Sequence, residues 1–242
     1  RVGESAGKMY GFVYDGTYKE EDFNITVNEN GKKTYELKPG VPKFKDGCQP
    51  GDPKYKNIDG SEDNLITDND RTVIGNGHPL HTGGFTNNFV YKNWDLNIFL
   101  QWSYGNDVFN VNRLVMENPG AKKQLNQFAS YKNRWSESNP TSNIPRVRAV
   151  GADEYSSLYV EDGSFLKLKT ISLGYNFDTK TLKRIGLSAA RVFVSAENIA
   201  TITGYSGSDP EVSTRHSVLT PGFDWSAYPR AFNASLGVNV TF

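Results

Sequence analysis

The stretch 231–242, AFNASLGVNVTF, decides the fold class of this 242-residue chain. Apolar residues alternate with polar or small ones throughout it, and one face carries Phe232, Ala234, Leu236, Val238, Val240 and Phe242. A strand that crosses a bilayer needs about 9–11 residues, whereas a strand of a globular protein has about 5–6. The stretch therefore predicts a strand of a membrane barrel. The alternative is an edge strand of a soluble sandwich, which would leave a flat apolar edge that soluble proteins avoid.

Other segments show the same two-residue period. One face of 94–103 carries Trp94, Leu96, Ile98, Leu100 and Trp102, with aromatic residues at both ends as in the girdles of membrane barrels. Further strands are predicted near 9–18, 83–91, 165–177 and 191–199. A change of phase within 165–177 predicts a bulge. The pattern predicts about six strands.

The connections between these strands alternate in length. Lys92-Asn93 and 178–190 are short, whereas 22–82, 105–163 and 201–230 are long. Outer-membrane barrels have short periplasmic turns and long external loops. We therefore predict an all-β fold, the C-terminal part of a transmembrane antiparallel β-barrel. Because the smallest membrane barrels have about eight strands, the remaining strands are expected before Arg1, where the sequence shows neither an initiator Met nor a signal peptide.

Composition excludes several classes of protein. The 27 basic residues balance the 27 acidic ones, so nucleic-acid binding is not expected. The single cysteine, Cys48, excludes an internal disulfide and a cysteine-rich zinc site. The sequence contains no run of 18 consecutive apolar residues, so no transmembrane helix is predicted. The segment 119–135 is predicted to form a short external helix, so its Lys122 and Lys123 are not interpreted as a basic binding patch.

Blocks of residues spread over nearly the whole chain resemble the SusC/RagA family of outer-membrane proteins. They are PGD at 50–52, DNDRTVIGN at 68–76, GGFTNNF at 83–89, FLQWSYGND at 99–107, GSFLKLK at 163–169, EN at 197–198, GYSG at 204–207 before DPE at 209–211, and YPR at 228–230. Each block alone is weak, but together and in this order they are specific.

The resemblance implies a barrel of about 22 strands that encloses a plug. It also implies import of oligosaccharide or peptide across the bacterial outer membrane, with energy supplied by TonB. A SusD-like surface lipoprotein would cover the barrel from outside, and outer-membrane lipid would surround it. The plug and the TonB-contacting segment are N-terminal in the family and are expected in the missing part.

The segment 59–70 has the spacing of a calcium loop. Oxygen ligands at positions 1, 3, 5, 7, 9 and 12 would come from Asp59, Ser61, Asp63, the Leu65 carbonyl, Thr67 and Asp70. The sixth position is Asn64 where glycine is usual, and the last ligand is Asp70 where a bidentate glutamate is usual. We expect Ca²⁺ to be structural here, ordering a long external loop. The alternative is an acidic loop that is only solvated.

Other sites are less specific. His78 and His81 flank Pro79 and, with only His216 elsewhere, indicate loop histidines and not a zinc site. Candidate residues for binding of sugar rings or peptide side chains are the aromatic residues Tyr104, Trp135, Trp225 and Tyr228. The interfacial girdle or packing within loops would explain them equally well. No catalytic motif stands out, and an enzyme is not expected.

Three functions compete at this stage. The first is a transporter for a large nutrient, and the second is a calcium-stabilised surface module that binds carbohydrate. The third is a surface hydrolase, which would need catalytic carboxylates that the sequence does not identify. The long strands and the order of short and long connections favour the transporter.

Overall fold

The described residues of the computed structural model, 3–118, 125–214, 217 and 219–242, form an all-β fold. The strands are β1 Lys8–Gly11, β2 Tyr14–Thr17, β3 Phe23–Val27, β4 Lys33–Leu37, β5 Pro53–Tyr55, β6 Thr72–Asn76, β7 His81–Tyr91, β8 Trp94–Tyr104, β9 Asp107–Asn110, β10 Val160–Asp162, β11 Phe165–Asn176, β12 Ala189–Thr203, β13 Phe223–Asp224 and β14 Asn233–Thr241. The α-helices of the described ranges are α1 Val111–Met116 and α2 Thr179–Lys183.

The chain divides into two compact units. The loop unit comprises Arg1–Gly77, Val108–Glu161 and Ser213–Ser226. The sheet unit comprises His78–Asp107, Asp162–Val212 and Ala227–Phe242. Segments that are distant in sequence thus build each unit.

The sheet unit contains one five-stranded sheet in the order β14-β12-β11-β8-β7, in which every neighbouring pair is antiparallel. Its strands contain 9 to 15 residues, long enough to cross a bilayer. Lys92, at a positive φ of 52°, lies in the tight turn between β7 and β8, the backbone conformation that two-residue hairpins require. The predicted bulge is confirmed, because the register of β11 shifts between Leu168 and Thr170.

The loop unit has short strands and aromatic cores. The paired strands are β1 with β6, β2 with β5, and β3 with β4, and the sheet β10-β9-β13 completes the set. One core contains Phe12, Tyr55 and Ile66, another contains Tyr18, Phe23 and Cys48, and a third contains Phe109, Val111 and Tyr159. Burial of these side chains stabilises the long connections as folded structure.

The segment 9–18 differs from its prediction as one of about six barrel strands. It forms two short strands, β1 and β2, which pair with β6 and β5 in the loop unit and not with the five-stranded sheet. Between them the Phe12 N–H donates to the Tyr155 carbonyl, 2.9 Å away. Gly16, at a φ of 89°, bends the chain further on. These local bends prevent one long strand, so the chain contributes five strands to the sheet.

The helices are short, and α1 begins where the Asn110 side chain accepts a hydrogen bond from the Arg113 N–H at 3.1 Å. Within the described ranges, no helix combines the length and the apolar character needed to span a bilayer. The external helix predicted over 119–135 falls partly on 119–124, outside the described residues. In the rest of that segment, Ala129–Asn133 forms a 3₁₀ helix.

Candidate functional site

The two faces of the five-stranded sheet have opposite chemistry. Five apolar residues, one from each strand, lie side by side in a row across the sheet: Phe89, Leu96, Leu173, Val194 and Leu236. The next row is polar on all five strands: Asn88, Asn97, Ser172, Ser195 and Ser235. Neighbouring residues of a strand point to opposite faces. One face of the sheet is therefore apolar and the other polar.

The apolar face lies open. Phe89 is 55% exposed and Leu236 is 78% exposed, and Tyr91, Trp94 and Val238 are exposed beside them. An apolar surface of this extent on a soluble protein marks an interaction site or a membrane contact. The aromatic rings of Trp94 and Tyr175 pack at 4.8 Å between centroids at one end of this face, as an interfacial girdle would.

Hydrogen bonds and ion pairs join the strands on the polar face. Asn97 donates from Nδ2 to Asn88 Oδ1 at 2.5 Å. Arg191 Nη2 lies 2.5 Å from Asp95 Oδ2, and the same carboxylate accepts from Asn176 Nδ2 at 2.9 Å. This face thus offers donors and acceptors along most of the strand length.

Two aromatic residues on the polar face cover glycines of the edge strands. A Cβ added at Gly84 of β7 would lie 2.7 Å from the Phe99 ring, and one at Gly237 of β14 would lie 2.3 Å from the Phe193 ring. Such aromatic cover supplies packing that a glycine in a strand lacks. Phe99 and Phe193 therefore pack over these glycines and support the sheet.

The proposed calcium loop is held by its own hydrogen bonds. Asp59 Oδ1 accepts from the Ser61 N–H at 2.8 Å, and Asp63 Oδ1 accepts from the Leu65 N–H at 3.0 Å and from the Ser61 hydroxyl at 2.8 Å. The hydrogen bonds from the Leu65 N–H, which has the largest effect, and from the Ser61 hydroxyl lower the pKa of Asp63. Asn64 adopts a φ of 53°, the left-handed conformation usually taken there by glycine.

Asp70 is the centre of this loop. Its carboxylate is fully buried. Oδ1 accepts from the N–H groups of Ile58 and Asp59 at 2.7 and 3.1 Å, and Oδ2 accepts from that of Thr67 at 2.8 Å. Thr67 in turn accepts at its hydroxyl from the Asn69 N–H at 3.2 Å. Asp70 thus closes the loop from within.

The orientation of Asp70 departs from the twelve-residue calcium scheme. Asp70 directs both carboxylate oxygens at backbone amides, whereas the last ligand of that scheme must direct its oxygens at the ion. Among the described residues, which include all of 59–70, no group of three or more His, Cys, Asp or Glu side chains is placed to hold a metal. Calcium binding by this segment stays a prediction.

The four candidate ligand-binding aromatic residues lie in different surroundings. In the loop unit, the Trp135 indole lies against Gly51, where an added Cβ would come within 2.5 Å of the ring, and Trp225 is half exposed. In the sheet unit, Tyr104 stacks on His81 at 5.1 Å, and Tyr228 is 90% exposed. Trp135 and Tyr104 therefore have partners within their units, while Trp225 and Tyr228 present open rings.

The histidines take no part in a metal group within the described residues. His81 accepts at Nδ1 from the Trp102 indole N–H at 3.2 Å, so this ring belongs to the packing at the end of β7. His216 lies outside the described residues.

Sequence reasoning missed an ionic cluster on the polar face. Lys167 of β11 is only 2% exposed and bonds Asp209 and Glu211 of the segment that follows β12. The sequence did offer one indication: Lys167 falls on the polar face of a predicted barrel strand, where a buried charge requires a partner of opposite charge. The partner residues lie more than 40 positions away, so the pattern of the strand could not identify them.

Comparisons with known proteins agree with this architecture. No family model matches the chain. It is 33% identical over its whole length to TonB-dependent receptor P3 of Formosa agariphila, of which it covers 23%. It is 30% identical, over 66% of its length, to TonB-dependent receptor SusC of Bacteroides thetaiotaomicron, of which it covers 15%.

Solved structures show the same fold. The RagAB peptide importer in its closed-closed state matches 97% of the chain with a TM-score of 0.69 and 21% identity, and the chain covers 23% of the matched chain. The chain thus spans about a quarter of the length of the first of these relatives and of this structure. With its strand architecture and its similarity to these receptors, the chain belongs to the SusC/RagA family of TonB-dependent receptors.

Proposed function

We propose that this chain forms part of the wall and the external loops of an outer-membrane transporter that imports oligosaccharide or peptide. TonB supplies the energy through a part of the receptor outside this chain. A SusD-like surface lipoprotein covers the external side and shares the cargo. The function is binding and passage of cargo, without a catalytic step.

The paired rows of the five-stranded sheet carry this proposal. An apolar row beside a polar row on every strand supports a wall with lipid on one side and a polar interior on the other. A soluble carbohydrate-binding module would have to cover the exposed Phe89 and Leu236 with a second layer. The relatives are named TonB-dependent receptors, which also supports a role in transport.

Cargo contact is proposed for the open aromatic rings of Trp225 and Tyr228. Rings of this kind stack on sugar faces or on peptide side chains. The backbone N–H of Trp225 donates to Thr214 Oγ1 at 2.9 Å, which fixes the segment that carries the indole. Tyr104 and Trp135 remain candidates of the same kind, although each already packs against a neighbour.

Uptake by the full-length receptor tests the proposal. The receptor is deleted in its host, and uptake of fluorescent oligosaccharides and oligopeptides is measured with and without TonB. We expect one cargo class to enter only when both the receptor and TonB are present. Cargo that binds to the cell surface without TonB-dependent entry would overturn transport and favour the surface carbohydrate-binding module.

Calcium removal is a separate test of segment 59–70. The full-length receptor is analysed for bound metal before and after chelation, in the wild type and in Asp63→Asn, with the exposed Asp46→Asn as the matched control. If calcium orders the loop, Asp63→Asn lowers the calcium content and Asp46→Asn does not. Equal calcium content in all three proteins would show that Asp63 is not a calcium ligand.

A further inference from the structure

The ionic cluster around Lys167 connects the sheet to both ends of the last long loop, which runs from the end of β12 to the start of β14. Lys167 Nζ lies 3.5 Å from Asp209 Oδ1 and is hydrogen-bonded to Glu211 Oε2. Glu211 Oε2 also lies 3.7 Å from Lys169 Nζ and 3.6 Å from Arg230 Nε. Asp209 and Glu211 precede the middle of the loop, and Arg230 follows it.

The cluster lies on the polar face of the sheet. Lys167 is in register with Gln101 of β8 and Thr201 of β12. Gln101 Nε2 donates to Glu211 Oε1 at 3.5 Å, so β8 also takes part. Three cations thus surround two carboxylates, and the most buried of the five is Lys167.

Asp209 connects the two ends of the loop, residues 205–214 and 227–232, which together are called its stem. Its Oδ1 accepts from the Glu211 N–H at 3.0 Å, and its Oδ2 accepts from the Arg230 N–H at 3.1 Å. The second bond joins residues 21 positions apart. Closing a loop of this length costs conformational entropy, and the buried charge-assisted bonds of Asp209 offset that cost.

Electrostatics favour the ionised form of Asp209. Burial alone would raise the pKa of this carboxyl, but the N–H groups of Arg230 and Glu211 and the ammonium of Lys167 outweigh burial and lower the pKa below its ordinary value. Asp209 is therefore ionised at neutral pH, the form that accepts the hydrogen bonds from the Glu211 and Arg230 N–H groups. The groups that face Asp209 and Glu211 are Lys167 and Lys169 of β11, Gln101 of β8 and Arg230 of the stem itself.

We propose that Lys167 is a positioning residue for cargo binding: it anchors Asp209 and Glu211 to the barrel wall and so holds together the two ends of the loop that carries Trp225 and Tyr228. With the ends fixed, the loop loses less freedom when cargo binds, so cargo affinity is higher. The consequence for cargo rests on the proposed transport function. The anchoring of the stem does not.

Hydrogen exchange of the full-length receptor in detergent tests the anchoring. The substitution Lys167→Met leaves two carboxylates without their most buried partner, and we expect exchange in 205–214 and 227–232 to rise at least about tenfold, which corresponds to about 1.4 kcal/mol. Lys167→Arg keeps the charge and should restore most of the protection. Arg191→Met is the matched control, because it removes an ion pair from the same polar face away from the stem.

The outcomes separate the two claims. Unchanged stem exchange in Lys167→Met, or an equal rise in Arg191→Met, would overturn the anchoring. If Lys167→Met does not fold, Asp209→Asn tests the same bonds and should open the same two segments. A raised stem exchange with unchanged cargo affinity would overturn the positioning role alone. If the wild-type receptor takes up no cargo while exchange of the stem still rises in Lys167→Met, the transport function is contradicted and the anchoring is supported.

Discussion

The sheet unit and the loop unit use the same residue types in opposite ways. Phe12, Tyr18 and Tyr159 are buried in the loop unit, whereas Phe85 and Phe89 are more than half exposed in the sheet unit. The loop unit therefore gains its stability by removing apolar surface from water within the chain. The sheet unit keeps its apolar side chains outside, as the lipid-facing band of a membrane barrel does.

The largest expected effect comes from the core of the loop unit. Phe12 packs against Phe44 and Tyr55 at centroid distances of 5.4 and 5.2 Å. We expect Phe12→Ala to lower the free energy of unfolding of the loop unit by about 3–5 kcal/mol, because it leaves a cavity. Phe89→Ala on the exposed sheet face should have a much smaller effect. Denaturant titration with proteolysis of the loop unit measures both, and equal effects would contradict the comparison.

The next effect concerns the apolar face of the sheet. Ile98 pairs with Ile171 near the middle of the strands, and its neighbour Asn97 lies on the polar face. We expect Ile98→Arg to destabilise the full-length barrel in a bilayer by about 2–4 kcal/mol, and Asn97→Arg by clearly less. Folding titrations into lipid vesicles measure the difference. If Asn97→Arg proves the costlier change, the two faces are assigned the wrong way round.

A smaller effect is expected within segment 59–70. Asp70→Ala removes the acceptor of three backbone N–H groups, and a buried donor left without a partner costs about 1–3 kcal/mol. Asp68→Ala is the control, since Asp68 is exposed and its carboxylate pairs with Arg71 at the surface. Limited proteolysis between 57 and 71 reports the opening. Equal cleavage of both variants would show that Asp70 does not hold the segment.

The smallest effect is the pH dependence of the loop stem. The folded pKa of Asp209 is lower than its unfolded value of about 3.9. Its contribution to stability is therefore complete above about pH 3.9 and is lost as the pH falls through the folded pKa. Exchange of the stem, corrected for its intrinsic pH dependence, should rise in acid in the wild type. Asp209→Asn should remove this dependence, and an unaltered pH profile would exclude Asp209 as its source.

Much of the sheet could be predicted from the sequence because its signal is local. Alternation along 94–103 and 231–242 predicted the strands that the structure forms as β8 and β14, and the phase change in 165–177 predicted the bulge. The all-β barrel fold and the family are confirmed. The prediction of a barrel strand at 9–18 was wrong, because an alternating pattern does not reveal which strand a segment pairs with.

The candidate site was harder to predict, for the same reason. The oxygen spacing of 59–70 is that of a calcium loop, yet the structure directs Asp70 to the amides of Ile58, Asp59 and Thr67. Spacing specifies which oxygens are available and not which donors reach them first. The candidate aromatic residues likewise divide into open rings and packed ones only after folding.

The sequence by itself determined the strands of the five-stranded sheet, their two faces and the order of long and short connections, since a two-residue period and turn residues act over a few positions. Only the tertiary structure decided the partners: β1 and β2 joined the loop unit, and Lys167 met Asp209 and Glu211. Contacts between distant segments depend on burial and charge in three dimensions. A one-dimensional pattern does not contain that information.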